Sequence, residues 1–343
     1  MKRADILPDL RARASAYTRA VQRFPVIIGP TAGGKTALGV AVARALEAAG
    51  RGPAEVVSAD SMQVYRGMDI GSAKPTAEER GGVPHHAIDI VDPDRPFTVA
   101  DWLARADEAI ADIRARGGTP VVVGGTHLYI KALLEGLFDG PPADPGLRER
   151  LHAMAPEELR AELLRVDPDA AARIHPNDLR RTVRALEVHA TTGRPISAQQ
   201  GQWDAGRRRP GAVLVAIRWP VSEINRRINK RVRRMMDEGL LEEVRSLEAR
   251  GVLGEQARQG LGYRQLLDHL AGAMTLDESA ERIRIETRRF AKSQRTWLRR
   301  LMAGGESLWL DAPPAATGEW AQLILPHVLR DDSVSEEQAP EGR

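Results

Sequence analysis

The chain of 343 residues contains no cysteine. That absence excludes disulfides, a cysteine nucleophile and cysteine-ligated zinc, and it suits a reducing compartment. No stretch approaches the apolar length of a membrane helix. The start, Met1-Lys2-Arg3-Ala4-Asp5, leads into mixed charge without the apolar centre of a signal peptide. A cytoplasmic protein with no membrane partner is expected. A large excess of one charge is also missing, since the formal net charge is +3. The charge is unevenly placed, however. Residues 207–234 hold ten Lys or Arg against Glu223 alone, and residues 281–300 hold eight against Glu281 and Glu286. Two such segments carry the electrostatic footprint of a nucleic-acid partner. The acidic, polar tail, assigned to residues 325–343, is expected to be disordered.

Against these absences stands one dense motif. Gly29-Pro30-Thr31-Ala32-Gly33-Gly34-Lys35-Thr36 matches the phosphate-binding loop G-x-x-x-x-G-K-[ST] in full. The apolar Phe24 to Ile28 before it reads as a buried strand. Ala37 to Ala49 after it reads as a helix with Leu38, Val42, Ala45 and Leu46 on one face. Strand, loop and helix together aim backbone N–H groups at an anion. Lys35 supplies a point charge, and the Thr36 hydroxyl is a ligand for an accompanying Mg²⁺. The motif identifies a polyphosphate without saying that it is a nucleotide.

The following strands narrow the chemistry. Glu55 to Asp60 is a short strand that ends in a carboxylate. Pro120 to Val123 is fully apolar but ends in Gly124-Gly125-Thr126. An ordinary phosphate-loop kinase usually ends such a strand in a Mg²⁺-holding Asp. Here Asp60 is free for another task, such as taking a proton from a nucleophile; an N-cap or an outer Mg²⁺ contact is the plainer alternative. The alternating elements of residues 23–139 argue for an α/β fold with a doubly wound parallel sheet of P-loop NTPase-like type. After a Pro- and Gly-rich break, residues 140–206 read as a helical insertion. Its helix starts are written at Asp144-Pro145, Ala155-Pro156 and Asp167-Pro168, with a stop at Thr192-Gly193. The strand Ala212 to Ile217 then returns the chain to the core, and residues 207–324 form its second part. Residues 1–22 read as a helical extension.

Both basic segments read as helices. Ser222 can cap the first, in which Ile224, Ile228, Val232, Met235 and Met236 form an apolar stripe beside Arg227, Arg231 and Arg234. The second turns Ile283, Phe290, Trp297 and Leu301 inward. Arg284, Arg288, Lys292, Arg295 and Arg299 lie on another side. Arg288, Lys292 and Arg295 are candidate nucleic-acid contacts. His85, His86 and His175 lack metal-ligand spacing and read as structural or solvent-facing.

From about Val26 to Leu310 the chain resembles the tRNA dimethylallyltransferases, also called tRNA isopentenyltransferases, in their bacterial form. The resemblance rests on Gly29 to Thr36, Ser58 to Pro75, Pro84-His85-His86, Asp89 to Pro93, Val123 to Thr126 with Leu128-Tyr129, Ile174 to Asp178, Arg184 to Glu187, Gly262 to Gln265 and Thr287 to Trp297. It implies that Gly29 to Thr36 hold the diphosphate of dimethylallyl diphosphate with Mg²⁺, aided by Arg227. It implies an acceptor, the N6 amine of the adenosine 3′ of the anticodon in tRNAs reading codons that begin with U. Asp60 falls on the general base and Thr126 on a positioning residue, with Lys35 and Arg227 on the diphosphate. Asp60, Ser61, Met62, Gln63, Thr126, Arg148, Arg180, Arg181, Thr182, Val183 and Arg184 fall on tRNA-contacting stretches. So do Arg258, Gln259, Gly260, Leu261, Gly262, Tyr263, Arg264 and Gln265. A monomer is expected. One departure is Gly33, where the family more often has Ser, so a hydroxyl contact is lost. A phosphate-loop kinase, a prenyltransferase of free adenine nucleotides and a non-enzymatic RNA-binding module are the alternatives. The Gly-Gly-Thr strand end, the insertion with its basic helices, and the intact loop with Asp60 argue against each in turn.

Overall fold

The computed structural model describes residues 22–137, 140–199, 208–303, 307–313 and 317–330. The proposed extension up to residue 21 and the tail from 331 lie outside the described residues. Strands β1 (Phe24–Ile28), β2 (Ala54–Ala59), β3 (His85–His86), β4 (Thr119–Gly124), β5 (Ala212–Arg218) and β6 (Ser307–Asp311) form one sheet in the order β3-β2-β4-β1-β5-β6. Every pairing is parallel. Every residue of β1, β2 and β4 is buried, as a parallel sheet covered on both faces requires. The register sets Ile28 and Ala59 each beside Gly124. The three loops that leave these strand ends therefore emerge side by side, where ligands meet such sheets.

The contacts divide the chain into two compact units, one of residues up to 131 and from 210, the other of residues 132–209. In the first, α1 (Lys35–Ala48) leaves the glycine loop directly and buries Leu38, Val42 and Leu46. Capping boxes at Thr76 and Thr98 start α2 (Ala77–Arg80) and α3 (Val99–Ala115). Helix α4 (His127–Glu135) follows β4.

The second unit is helical: α5 (Pro145–His152), α6 (Pro156–Val166), α7 (Pro168–Arg173), α8 (Leu179–Thr192) and α9 (Ile196–Gln199). Asp144 and Asp167 accept from the backbone N–H groups of Leu147 and Ala170, and Gly193 ends α8 in a left-handed conformation. The core gathers Leu151, Leu159, Leu163, Val183, Leu186 and Val188. The unit begins at 132, within the α4 segment, rather than at 140 after the Pro-rich break. An apolar helix gave no sequence signal for that boundary.

The chain then returns to the first unit through β5, α10 (Val221–Asp237), α11 (Leu240–Ala249), α12 (Glu255–Arg258), α13 (Tyr263–Leu270), α14 (Leu276–Leu301) and, after β6, α15 (Thr317–Leu329). Three expectations change here. Helix α10 has Pro220, not Ser222, at its N-cap. Residues 325–329 are not tail: they close α15, where Leu325 and Val328 are buried and the helix packs on α1. Phe290 does not turn inward. It is 41 % exposed, because the middle of α14 buries Ala291 and Gln294 instead. A small residue and a polar one carry the buried stripe there, and apolar spacing cannot reveal them. Among the described residues no helix is long and apolar enough to cross a membrane.

Candidate active site

A cavity of about 920 Å³ opens over the ends of β1, β2 and β4 and is lined by Thr31 to Ala37, Asp60 to Gln63, Gly124 to Thr126 and Arg231. The glycine loop is held from behind by its own carbonyls. Lys35 Nζ donates to the Pro30 oxygen at 2.9 Å, Arg227 Nε to that of Ala32 at 2.7 Å, and Trp219 Nε1 to that of Gly33 at 3.0 Å. Arg227 also stacks over the Trp219 ring, 4.5 Å from its centroid. With the carbonyls occupied and no side-chain cap on α1, the N–H groups of the first helical turn are left for an anion. Space at Gly33 favours glycine. Its missing Cβ would lie 2.8 Å from the Pro30 oxygen, so the Ser more usual in the family would require the turn to shift.

Gln294 joins the loop to the neighbouring strand end. Its Oε1 accepts from the Thr31 N–H at 2.7 Å, and its Nε2 donates to the Gly125 carbonyl at 2.9 Å. The side chain is 2 % exposed. A Cβ on Gly125 would approach Gln294 Nε2 to 2.7 Å, which accounts for the glycine where a kinase would place an acid. Thr126 sits one residue on. Its N–H donates to the Ala59 carbonyl at 3.2 Å, and its Oγ1 accepts from the Ser61 N–H at 3.0 Å. These bonds tie the β4 end to the Asp60 loop. Asp60 Oδ1 accepts from the Met62 and Gln63 N–H groups at 2.9 and 3.4 Å. Asp60 therefore organises its own turn, without capping a helix, and still lines the cavity.

The electrostatics of the cavity are dominated by unbalanced cations. Burial and the Arg231 guanidinium together lower the Lys35 ammonium to about 8, against the opposing pull of Asp60. Burial likewise lowers Arg231. His127, whose ring stacks on Trp297 at 5.8 Å, is pushed by burial down to about 4 and is neutral near neutral pH. The Thr36 hydroxyl lines the same wall and has no hydrogen-bond partner among the described residues. No cluster of three His, Asp or Glu suited to a metal occurs among them. The donors present thus suit Mg²⁺ held by Thr36 and by oxygens of a bound diphosphate, since this ion keeps few protein ligands.

A second wall is built around Glu243 of α11. Its carboxylate accepts the N–H groups of Asp69, Ile70 and Gly71 at 3.0, 2.8 and 3.2 Å, and the Tyr263 hydroxyl at 2.6 Å. It fixes the cavity-lining loop that follows Met68. Sequence reasoning missed Glu243, Trp219 and the double bond of Gln294. Gln294 lay inside a quoted motif, but nothing in its spacing disclosed its partners.

The remaining predicted residues are placed as follows. Ser61, Met62, Gln63, Gln259, Gly260, Leu261 and Gly262 line the cavity. Tyr263 and Gln265, expected at the tRNA, are buried instead. Tyr263 bonds Glu243, while Gln265 caps the Gly262 N–H and reaches Glu286. Arg264 pairs with Glu286 and Arg258 with Glu248. Arg180 and Arg181 are exposed on α8. Thr182 and Val183, also expected at the tRNA, face the core of the helical unit, 1 % and 3 % exposed. They lie on the face of the amphipathic helix opposite Arg180 and Arg181. Arg148 and Arg184 hold the buried Glu187. On α14, Arg288 donates to the Asn229 Oδ1 at 3.0 Å, Lys292 is exposed and Arg295 is half-buried. His86 pairs with Glu55 at 2.6 Å, and His85 bonds the Val83 carbonyl.

A parallel sheet with an anion cradle at one strand end and a carboxylate at the next defines a group-transfer enzyme of P-loop-like fold. The family follows from comparison. Residues 63–301 match the model of the IPP transferases, and residues 22–88 that of the isopentenyl transferases. The chain belongs to the IPP transferase family. It is 47 % identical to tRNA dimethylallyltransferase 1 of Citrifermentans bemidjiense over 89 % of this chain and 95 % of that protein. It is 45 % identical to the tRNA dimethylallyltransferase of Geobacillus thermodenitrificans over 82 % and 89 %. The crystal structure of the full-length tRNA isopentenylpyrophosphate transferase from Bacillus halodurans superposes with a TM-score of 0.65 at 38 % identity, covering 90 % of this chain and 97 % of that one. A eukaryotic dimethylallyltransferase acting on tRNA gives 0.73 at 27 % identity, covering 88 % and 76 %.

Proposed function

We propose that this chain transfers the dimethylallyl group of dimethylallyl diphosphate to the N6 amine of the adenosine 3′ of the anticodon, in tRNAs reading codons that begin with U. The observation that carries the reading is a phosphate loop whose only facing strand-end acid among the described residues is Asp60, beside Gly125-Thr126 rather than a Mg²⁺-holding Asp. In the reaction the allylic C–O bond to diphosphate breaks and a C–N bond forms. The amine proton goes to Asp60, because an aromatic amine is a poor nucleophile unless a base takes its proton. The diphosphate leaves with growing negative charge. Lys35, the loop N–H groups and Arg227 against the loop neutralise it. Mg²⁺, held at Thr36, would supply further positive charge to the same oxygens. Thr126 positions the acceptor beside Asp60. The adenosine must leave its stack to enter the cavity. The basic faces of each unit suit the tRNA backbone, and the protein works as a cytoplasmic monomer.

The test is direct. The protein is incubated with Mg²⁺, dimethylallyl diphosphate and unmodified tRNA, and the digested nucleosides are weighed. The expected product is adenosine carrying one dimethylallyl group on N6. Parallel reactions with ATP alone and with AMP as acceptor test the alternatives. Consumption of ATP at a comparable rate would favour a kinase, and prenylated AMP would favour a free-nucleotide acceptor.

A further inference from the structure

Glu243 of α11 lies behind the cavity wall formed by residues 69–75. Its two oxygens take four donors. Oε2 accepts the Asp69 and Ile70 N–H groups at 3.0 and 2.8 Å. Oε1 accepts the Gly71 N–H at 3.2 Å and the Tyr263 hydroxyl at 2.6 Å. Burial raises the Tyr263 hydroxyl well above its ordinary value, and the Glu243 charge adds to the shift, so it stays a donor. The Gly71 backbone sits against the Tyr263 ring, since a Cβ there would come within 2.5 Å of Cε2. A carboxylate is the acceptor that fits this clasp. A glutamine has one oxygen for the two pairs and would set an N–H group against the other.

The clasp reaches Asp60 through Gln63. Beyond Gly71 the loop offers the Ser72 and Ala73 carbonyls to Gln63 Nε2 at 3.4 and 3.2 Å, and Gln63 Oε1 accepts from Ser58 Oγ at 3.0 Å. The Gln63 amide is thus engaged on both sides by protein. The Gln63 N–H in turn donates, with that of Met62, to Asp60 Oδ1. Asp60 Oδ2 has no hydrogen-bond partner among the described residues and is the oxygen open to a proton. The glycine loop is held separately, by Lys35, Arg227, Trp219 and Gln294. Loosening the clasp should therefore disturb the base and spare the anion cradle. We infer that Glu243 is a positioning residue for proton transfer: it clasps residues 69–71, and through the loop and Gln63 it sets the turn that aims Asp60. The inference rests on Asp60 being the base, as proposed above.

The test is a double-mutant cycle. E243Q, E243A, D60N and E243A/D60N are compared with the wild type and with E242Q, which alters the exposed neighbour on α11. Each protein is measured for single-turnover rate at saturating dimethylallyl diphosphate and tRNA, for calorimetric affinity toward Mg²⁺-diphosphate, and for unfolding midpoint. E243A should react about 10²-fold more slowly and E243Q about 10-fold, as misplacement of a reacting group by roughly 1 Å entails. Diphosphate affinity should stay at the wild-type value in both, which also shows that the cradle is folded, and E242Q should match the wild type throughout. In the D60N background E243A should cost less than about 2-fold more, because no base is left to aim. Additive losses in the double variant overturn the inference while leaving Asp60 as the base. So does a fall in diphosphate affinity that parallels the rate, or a folded E243A variant with wild-type rate. If D60N itself keeps the wild-type rate, the reading of Asp60 fails and the inference falls with it.

Discussion

Two charge clusters in this protein are built to opposite plans. In the helical unit, Glu187 is fully buried and accepts from the Asp144 N–H at 2.8 Å, Arg148 Nη2 at 3.0 Å and Arg184 Nη1 at 2.5 Å. Burial alone would raise this carboxyl, but those donors outweigh it and hold it below the usual carboxylate range. In the cavity, Lys35 bonds a single carbonyl, Arg231 bonds nothing among the described residues, and the Thr36 hydroxyl has no partner there. The first cluster is complete by itself and fixes a helix pair. The second is incomplete by itself and calls for an anion. Both contain arginines and acids at similar sequence spacing, and only the presence or absence of mutual partners tells them apart.

The largest effect that would sharpen this contrast belongs to Asp60. Asp60→Asn keeps its turn but removes the proton acceptor. The single-turnover rate should fall on the order of 10²-fold or more with tRNA affinity nearly unchanged. A variant that retains most of its rate would remove Asp60 as the base. Lys35→Ala comes next, with turnover at saturating donor falling about 10²-fold. Lys35 faces Arg231, Asp60 and the neutral His127 and sits at about 8. Wild-type affinity for diphosphate should therefore weaken as pH rises through about 8, when the ammonium loses its proton. A pH profile left unaltered by Lys35→Ala would show that another group titrates.

Glu187 tests the other half of the comparison. Glu187→Gln should destabilise the protein by about 2 kcal/mol, the worth of hydrogen bonds to a charged group. Because the folded carboxyl is depressed, this stability is present above the unfolded pKa and lost as pH falls through the lower folded value. The wild type and the variant should thus converge in unfolding midpoint in acid, below about pH 4.3. A constant gap at all pH values would mean that the ion pairs contribute nothing. The smallest effect is on α14. Lys292→Ala should weaken binding of every substrate tRNA alike and flatten the plot of log affinity against log salt by about 0.7 to 0.9. Arg288→Ala should do less, since Arg288 is engaged with Asn229 and Glu281. An unchanged slope in the triple variant with Arg295→Ala would mark that face as solvated surface only.

Much of this was legible in advance where chemistry is local. The glycine loop, the proline-led helix starts at 145, 156 and 168, the buried parallel strands and the Asp60 strand end each depend on a few adjacent residues, and each stands where the sequence suggested. Edge strands β3 and β6 were not legible, the first being only two residues long and both being largely half-exposed. Helix α14 misled because Ala291 and Gln294 occupy buried positions that an apolar count gives to Phe290. Thr182, Val183, Tyr263 and Gln265 misled in the opposite sense, since a stretch of sequence does not say which side of its helix faces inward.

The sequence by itself therefore determined that a phosphate cradle exists, which strand carries a carboxylate, and that two helices concentrate arginine. The tertiary structure alone decided which polar groups are paired. Gln294 reaches Thr31 across 263 positions and Glu243 reaches Ile70 across 173. Of Arg227, Arg231 and Arg234 on α10, it left Arg231 lining the cavity without a partner among the described residues. Hydrogen bonds act over about 3 Å, so partners distant in sequence are fixed only when the sheet order and helix packing bring them together.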